Sequence, residues 1–144
     1  MPENSGKLLM TELTWKGDAA SESKTRDHIV TTDSNSDEGG RNLGPAPTEL
    51  FLTAQGTCLM INISRIAKKM RIELRSVRMR VVGTKEPRDR PSSFIELDAN
   101  VTIDADTIDR ARLEKLIRLA EENCTVSNTL RNAVAPTVHL VWDE

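Results

Sequence analysis

Two cysteines, Cys58 and Cys124, carry the residue type best suited to reactive chemistry in this sequence. A thiolate is a strong nucleophile and is readily oxidised, whereas a thiol buried in apolar surroundings is inert. Cys58 has Phe51, Ala54, Ile61 and Asn62 at helical spacing around it. Cys124 sits where Asn123-Cys124-Thr125 interrupts an apolar pattern, just before the short segment Thr125–Arg131. A helix starting there would direct its N-terminal partial charge at the sulfur. On spacing alone, two inert buried thiols are the better fit, because free cysteine is among the most buried residue types. His28 and His139 are the only histidines, and no ligand pairing suggests zinc. Gly39-Gly40 is too little for a nucleotide-binding loop. No metal and no cofactor is expected.

The elements that must position these residues are legible in outline. Leu8 to Trp15 is strand-like, and Arg26 to Thr32 is a second, weaker strand. Residues 33–44 are polar and glycine-containing, the composition of a flexible loop, and a loop of that length is often functional. Pro47 suits the first position of a helix, and Glu49 falls in its first turn, where the helix dipole favours negative charge. From Leu50 to Ile63 the segment is apolar nearly all round, which predicts a buried helix ending at the basic Lys68-Lys69. Val77 to Val82 reads as a strand, followed by a charged turn from Lys85 to Pro91. Ile95, Leu97, Ala99, Val101 and Ile103 alternate with polar residues, the pattern of a half-buried strand. Asp106 is placed to cap a helix whose apolar face is Ile108, Ala111, Leu116 and Leu119-Ala120. Val138, Leu140 and Trp142 suggest a closing strand after Pro136. Strands at both ends with helices between them argue for an α+β fold in one domain, 1–144.

Composition narrows the function. The 144 residues are 38% hydrophobic and 29% charged, enough for a core and for solubility. Only Trp15, Trp142, Phe51 and Phe94 are aromatic, so the core is aliphatic. Residues 50–90 hold 10 basic and 3 acidic groups, yet Arg78 and Arg80 alternate with Val77, Met79 and Val81 as on the solvent face of a strand. No aromatic is interleaved to stack on bases, so nucleic acid is not an expected partner. The start of the chain lacks the pattern of a secretory leader. The apolar run from Leu50 to Ser64 is short for a bilayer and contains Thr53, Gln55, Gly56, Thr57 and Asn62, so a membrane is not expected either. A cytoplasmic location follows as the expectation, and there a structural disulfide is unusual.

Gly44-Pro45-Ala46-Pro47-Thr48-Glu49-Leu50, followed by Ala54-Gln55-Gly56-Thr57-Cys58, resembles the first cysteine motif of the OsmC/Ohr family, the osmotically inducible and organic hydroperoxide resistance proteins. Ala120 to Leu130, with Cys124-Thr125-Val126-Ser127 within it, resembles the family's second motif, and Trp15-Lys16-Gly17 its N-terminal strand. The resemblance implies an OsmC-like fold, with antiparallel strands around a long cysteine-bearing helix, in an intertwined homodimer with active sites at the subunit interface. It implies Cys58 as the peroxidatic thiolate and Cys124 as the resolving cysteine, joined in a disulfide after reaction with an organic hydroperoxide. An external dithiol would then reduce the disulfide, with lipoyl groups a candidate. A non-catalytic redox-responsive or ligand-binding member of the family is the alternative, and a thiol-modifying role on the same scaffold a third.

The pattern departs from the peroxidases of the family at one position. Those enzymes pair the thiolate with an Arg and hold that Arg with a Glu directly after the motif proline. Here Thr48 follows Pro47, and Glu49 comes one place later. At about 100° per residue, Glu49 lies roughly 180° around a helix from Cys58 and Thr48 roughly 80°. Glu49 is therefore a weak candidate for the catalytic carboxylate and a natural one for compensating the helix dipole. The supporting Arg is either Arg41, in the loop before the helix, or Arg26, at the second strand.

Overall fold

A computed structural model of the chain describes residues 6–88 and 91–142. They fall into two compact units, Met1–Phe51 and Leu52–Glu144. The first is an antiparallel meander of β1 (Glu12–Trp15), β2 (Ser21–Thr25) and β3 (His28–Thr32), in that order across the sheet. The second strand expected from the sequence is thus β3, and its first two residues, Arg26 and Asp27, form a two-residue hairpin turn with Arg26 at φ 54°. Ser21–Thr25 is a strand that the sequence did not announce. Its residues are polar, and it is held by neighbours on both sides rather than by an apolar face. Leu8, Leu9 and Met10 precede β1 without strand pairing and are exposed.

The loop after β3 is organised by Asp33, which is 1% exposed. Its carboxylate accepts from the backbone N–H groups of Ser34, Arg41 and Leu43 at 2.7, 3.1 and 3.3 Å. A Cβ at Gly40 would stand 1.9 Å from the Ser34 carbonyl oxygen, and one at Gly44 2.2 Å from that of Thr31. Both glycines are therefore required by the close backbone approach. Within the loop, Ser36–Glu38 makes a single 3-10 turn.

The long helix α1 (Pro47–Lys69) begins at the predicted proline. Ala46 precedes it, and the Glu49 carboxylate reaches back to accept from the Ala46 N–H at 2.8 Å, as in the return half of a capping box. The expectation that α1 is buried on all sides needs correction. Gly56, Leu59, Ile63 and Ala67 form one buried stripe, while Ile61 is half exposed. The segment is apolar around its whole circumference, but a single chain covers only one side. By length and composition alone α1 would suit a membrane. Its buried stripe instead packs with Ile72, Ala105, Leu116, Ala120 and Cys124 into the core of the second unit.

That core rests on a long hairpin, β4 (Leu74–Lys85) and β5 (Phe94–Ala105). Val77, Met79 and Val81 turn inward and Arg78 and Arg80 outward, as the alternation predicts. The alternation of β5 breaks at one residue. Thr84 pairs with Glu96 and Lys85 with Phe94, so Ile95 is bulged out and exposed, and Phe94 takes the inward position. Phe94 fills the space over Gly83, where a Cβ would lie 2.5 Å from its ring.

Helix α2 (Arg110–Glu122) is capped by Asp109, whose carboxylate accepts from Arg112 N–H at 3.3 Å. Asp106, the cap expected from sequence, instead accepts from Glu73 N–H at 3.0 Å and ties β5 to the start of β4. Ile108 consequently precedes the helix and is exposed, and the inward face is Leu113, Leu116, Ile117 and Ala120. A short helix α3 (Thr125–Arg131) follows. The strand expected at Val138, Leu140 and Trp142 is not formed. These residues run without regular structure and are exposed, and no strand among the described residues pairs with them. The mixed architecture and antiparallel pairing are those of an α+β protein.

Candidate functional site

Cys58 lies in the middle of α1, one residue before the buried Leu59, and is half-buried at the edge of the core. Cys124 is the N-cap of α3 and is 0% exposed. The break that delivers it there is made by Asn123. Its backbone and side-chain N–H groups both donate to Leu119 O and close the last turn of α2. The two helices α2 and α3 then meet at Cys124, against Leu116, Ala120 and the α1 stripe.

Cys58 packs against the core cluster that contains Cys124, and Ser127 dominates the groups that lower the Cys124 thiol pKa. Burial alone would raise the Cys124 thiol. The Ser127 hydroxyl and backbone N–H, the Cys58 sulfhydryl and the Val126 N–H outweigh it and hold the Cys124 pKa below the ordinary thiol value. None of these is a close capping hydrogen bond to sulfur. The effect is that of several donors directed together at one large, polarisable atom. Ser127 itself is buried, which fixes its hydroxyl beside Cys124. One helical turn before Cys58, the Gln55 side-chain oxygen is buried and has no hydrogen-bond donor among the described residues.

The other candidates belong to the first unit. The Arg41 guanidinium donates to the Lys16 carbonyl at 3.4 Å and lies 3.9 Å from the Asp18 carboxylate, so it is docked on the β1–β2 turn. Its backbone N–H is bound by Asp33. Arg26 projects from the β2–β3 turn and is exposed. Glu49 is occupied in capping α1, the role its place on the helical wheel suggests. Thr48 and Glu49, with Asn35, Glu38, Asn42, Gly44 and Ala46, line a polar cavity of about 340 Å³. The structure thus brings Cys58 and Cys124 together, while Arg26, Arg41 and Glu49 each have structural contacts or turn positions of their own. Sequence reasoning missed Asp33, Gln55 and Ser127. Asp33 was hidden in a run of loop-type residues, although a carboxylate at the end of a strand, followed by closely spaced glycines, is a signal for a carboxylate-centred turn. Among the described residues, no three His, Cys, Asp or Glu side chains converge in a way that would hold a metal.

A family model described as OsmC-like protein matches residues 39–139, a span that includes both cysteines. No match was found among curated proteins. Among solved structures, an OsmC-like protein from Mycoplasma pneumoniae superposes with a TM-score of 0.78 at 16% identity, covering 88% of this chain and 89% of that one. An OsmC-like protein from Vibrio cholerae gives 0.75 at 19% identity, covering 86% and 94%. The organic hydroperoxide resistance protein of Bacillus subtilis gives 0.61 at 19% identity, covering 87% and 93%. At these identities the likeness is one of fold, and it agrees with the antiparallel α+β architecture. The family match extends over more than half of the sequence and carries the two cysteine motifs, and on that ground the chain belongs to the OsmC-like protein family.

Proposed function

We propose that this protein is a cysteine-based, thiol-dependent peroxidase that reduces organic hydroperoxides. The observation that supports the reading is a half-buried Cys58 packed against the core that holds the fully buried Cys124, whose thiol pKa is held below the ordinary value despite burial. In this reading Cys58, the half-buried member of the pair, meets the substrate. Its thiolate attacks the peroxide, the O–O bond breaks, an alcohol leaves, and Cys58 becomes a sulfenic acid. Cys124 then attacks the oxidised sulfur, water leaves, and a Cys58–Cys124 disulfide forms. An external dithiol, with lipoyl groups a candidate, restores both thiols by exchange. The unpaired Gln55 oxygen offers an acceptor for the hydroperoxide O–H one turn from Cys58. Arg41 is the preferred supporting cation, with Arg26 the alternative. A cytoplasmic location fits a thiol pair that must be kept reduced.

The working unit in this reading is a homodimer. The uncovered side of α1 at Ile61, and the exposed Leu8, Leu9, Val138, Leu140 and Trp142, are apolar surface that a second copy would cover. One observation favours the alternative of a non-catalytic, redox-responsive protein: Thr48 replaces the carboxylate, and Glu49 is committed to the helix cap. Consumption of cumene hydroperoxide with dihydrolipoamide as reductant separates the two. Steady turnover that is lost in Cys58→Ser supports the peroxidase. One round of oxidation without turnover supports the redox-responsive protein, and no Cys58 oxidation removes both.

A further inference from the structure

Helix α2 carries two apolar stripes, and only one of them is closed. Leu116 and Ala120, one turn apart, are fully buried in the core of the second unit. Leu113 and Ile117 form the neighbouring stripe and stay partly exposed. With Val101 and Ile103 of β5 they make the apolar floor of a groove of about 390 Å³. That volume is in the range of small-molecule sites.

The rim of this groove is charged. Arg110, Glu114, Arg118 and Glu121 stand along it on successive turns of α2. Arg110 donates to the Glu114 carboxylate at 2.8 Å, and Arg131 of α3 donates to that of Glu121 at 2.6 Å. Both carboxylates are therefore engaged by other arginines. Arg118 lies four residues after Glu114 and three before Glu121, yet makes no ion pair among the described residues. The groove thus combines an apolar floor with one uncompensated cation at its lip. A protein partner would have to bury the whole rim, and charged groups are depleted from the cores of protein interfaces. A molecule with one apolar chain and one anionic head buries only the floor and leaves the rim in water. The charge it must carry is the complement of Arg118.

We propose that the groove between α2 and β5 binds a single-chain acyl carboxylate, with the chain along Val101, Ile103, Leu113 and Ile117 and the carboxylate at Arg118. Binding is non-covalent. Cys58 does not line the groove, so the site stands whether or not the protein is a peroxidase.

The test is isothermal titration calorimetry of the full chain with sodium butanoate, hexanoate, octanoate and decanoate, and with decanol as the neutral probe. Affinity should rise about fourfold for each methylene that enters the groove and level off once the chain outgrows it. Arg118→Met removes the charge from an exposed side chain and keeps an apolar stem, so the fold is retained. It should weaken decanoate about fivefold, the value of an exposed ion pair, and leave decanol unchanged. Ile117→Glu, checked for folding by circular dichroism, puts a carboxylate against the chain and should abolish binding of both probes. Should that variant not fold, the comparison of decanoate with decanol in Arg118→Met decides alone. No binding of decanoate at millimolar concentration overturns the proposal. So does an equal response of the two probes to Arg118→Met, which would mean adsorption to apolar surface elsewhere. If a second copy of the chain fills the groove instead, decanoate either fails to bind or halves the mass seen by light scattering as it binds, and either result overturns the proposal.

Discussion

Gly56 is the residue through which the packing of α1 controls the position of Cys58. In Gly56→Ala, the new Cβ would stand 2.8 Å from Val81 Cγ2 and 3.4 Å from Met79 Sδ. The Met79 thioether can turn aside. Val81 cannot, because its methyls sit directly on Cβ and its rotamer is restricted. Two effects of opposite sign compete. Replacing a mid-helix glycine by alanine gains about 0.8–1.0 kcal/mol of helix propensity. Forcing a methyl into a filled contact costs about 1–3 kcal/mol. The contact lies well inside van der Waals separation, so the second effect wins, with a net loss of roughly 1 kcal/mol. The strain is relieved by moving α1 away from β4, which carries Cys58, two residues along, away from its place beside Cys124. Urea denaturation gives the stability, and the rate of disulfide formation after stoichiometric peroxide gives the displacement. A loss of stability together with slower disulfide formation is expected. A gain near 1 kcal/mol, the value of helix propensity alone, would refute the close approach of α1 to β4.

Three further outcomes follow from the same geometry. Burial alone would raise the Asp33 carboxyl, but three backbone N–H groups and the Arg41 charge outweigh it and hold the pKa below the ordinary value. The stability that this contributes is therefore complete above the unfolded-state carboxylate pKa of about 3.9 and is lost as the pH falls through the lower, folded value. Thermal melts across the acid range should show a dependence that Asp33→Asn removes; an unaltered profile would assign the acid sensitivity elsewhere. Thr48→Glu adds a carboxylate nearer the Cys58 side of α1 than Glu49 and should speed peroxide reduction by about tenfold, equivalent to about 1.4 kcal/mol of barrier. Stopped-flow oxidation measures it, and a slower variant would mean that the site uses another anchor. Light scattering at low micromolar concentration should return twice the chain mass, given the apolar surface left on α1 and at both ends of the chain; a stable folded monomer would exclude the dimeric site.

What the sequence made legible was whatever depends on local pattern. Pro47 set the start of α1, the Asn123-Cys124-Thr125 break placed Cys124 at a helix start, and the alternation in Val77 to Val82 gave the inward and outward faces of β4. What it concealed depends on partners distant in the chain. Ser21–Thr25 has no apolar periodicity and becomes a strand only because β1 and β3 flank it. Ile95 fits the alternation of β5 but is turned out by a bulge that nothing in its own segment signals. Asp106 and Asp109 are equally good caps by type, and the choice is made by the Glu73 N–H, 33 residues away from Asp106. Val138 to Trp142 has strand composition but pairs with no strand among the described residues. At the site, the cysteines were found by motif. Ser127 and Gln55 were visible within those motifs, but their burial, which gives them a role, was not.

The central claim is that Cys58 and Cys124 act as one redox pair, and stoichiometric oxidation with an organic hydroperoxide followed by peptide mapping under non-reducing conditions tests it most directly. The account predicts a single cross-linked species in which the Cys58 and Cys124 peptides of one chain are joined, reversed by a dithiol. Oxidation of Cys58 to sulfinic acid with Cys124 still free, or no oxidation of either, would contradict it.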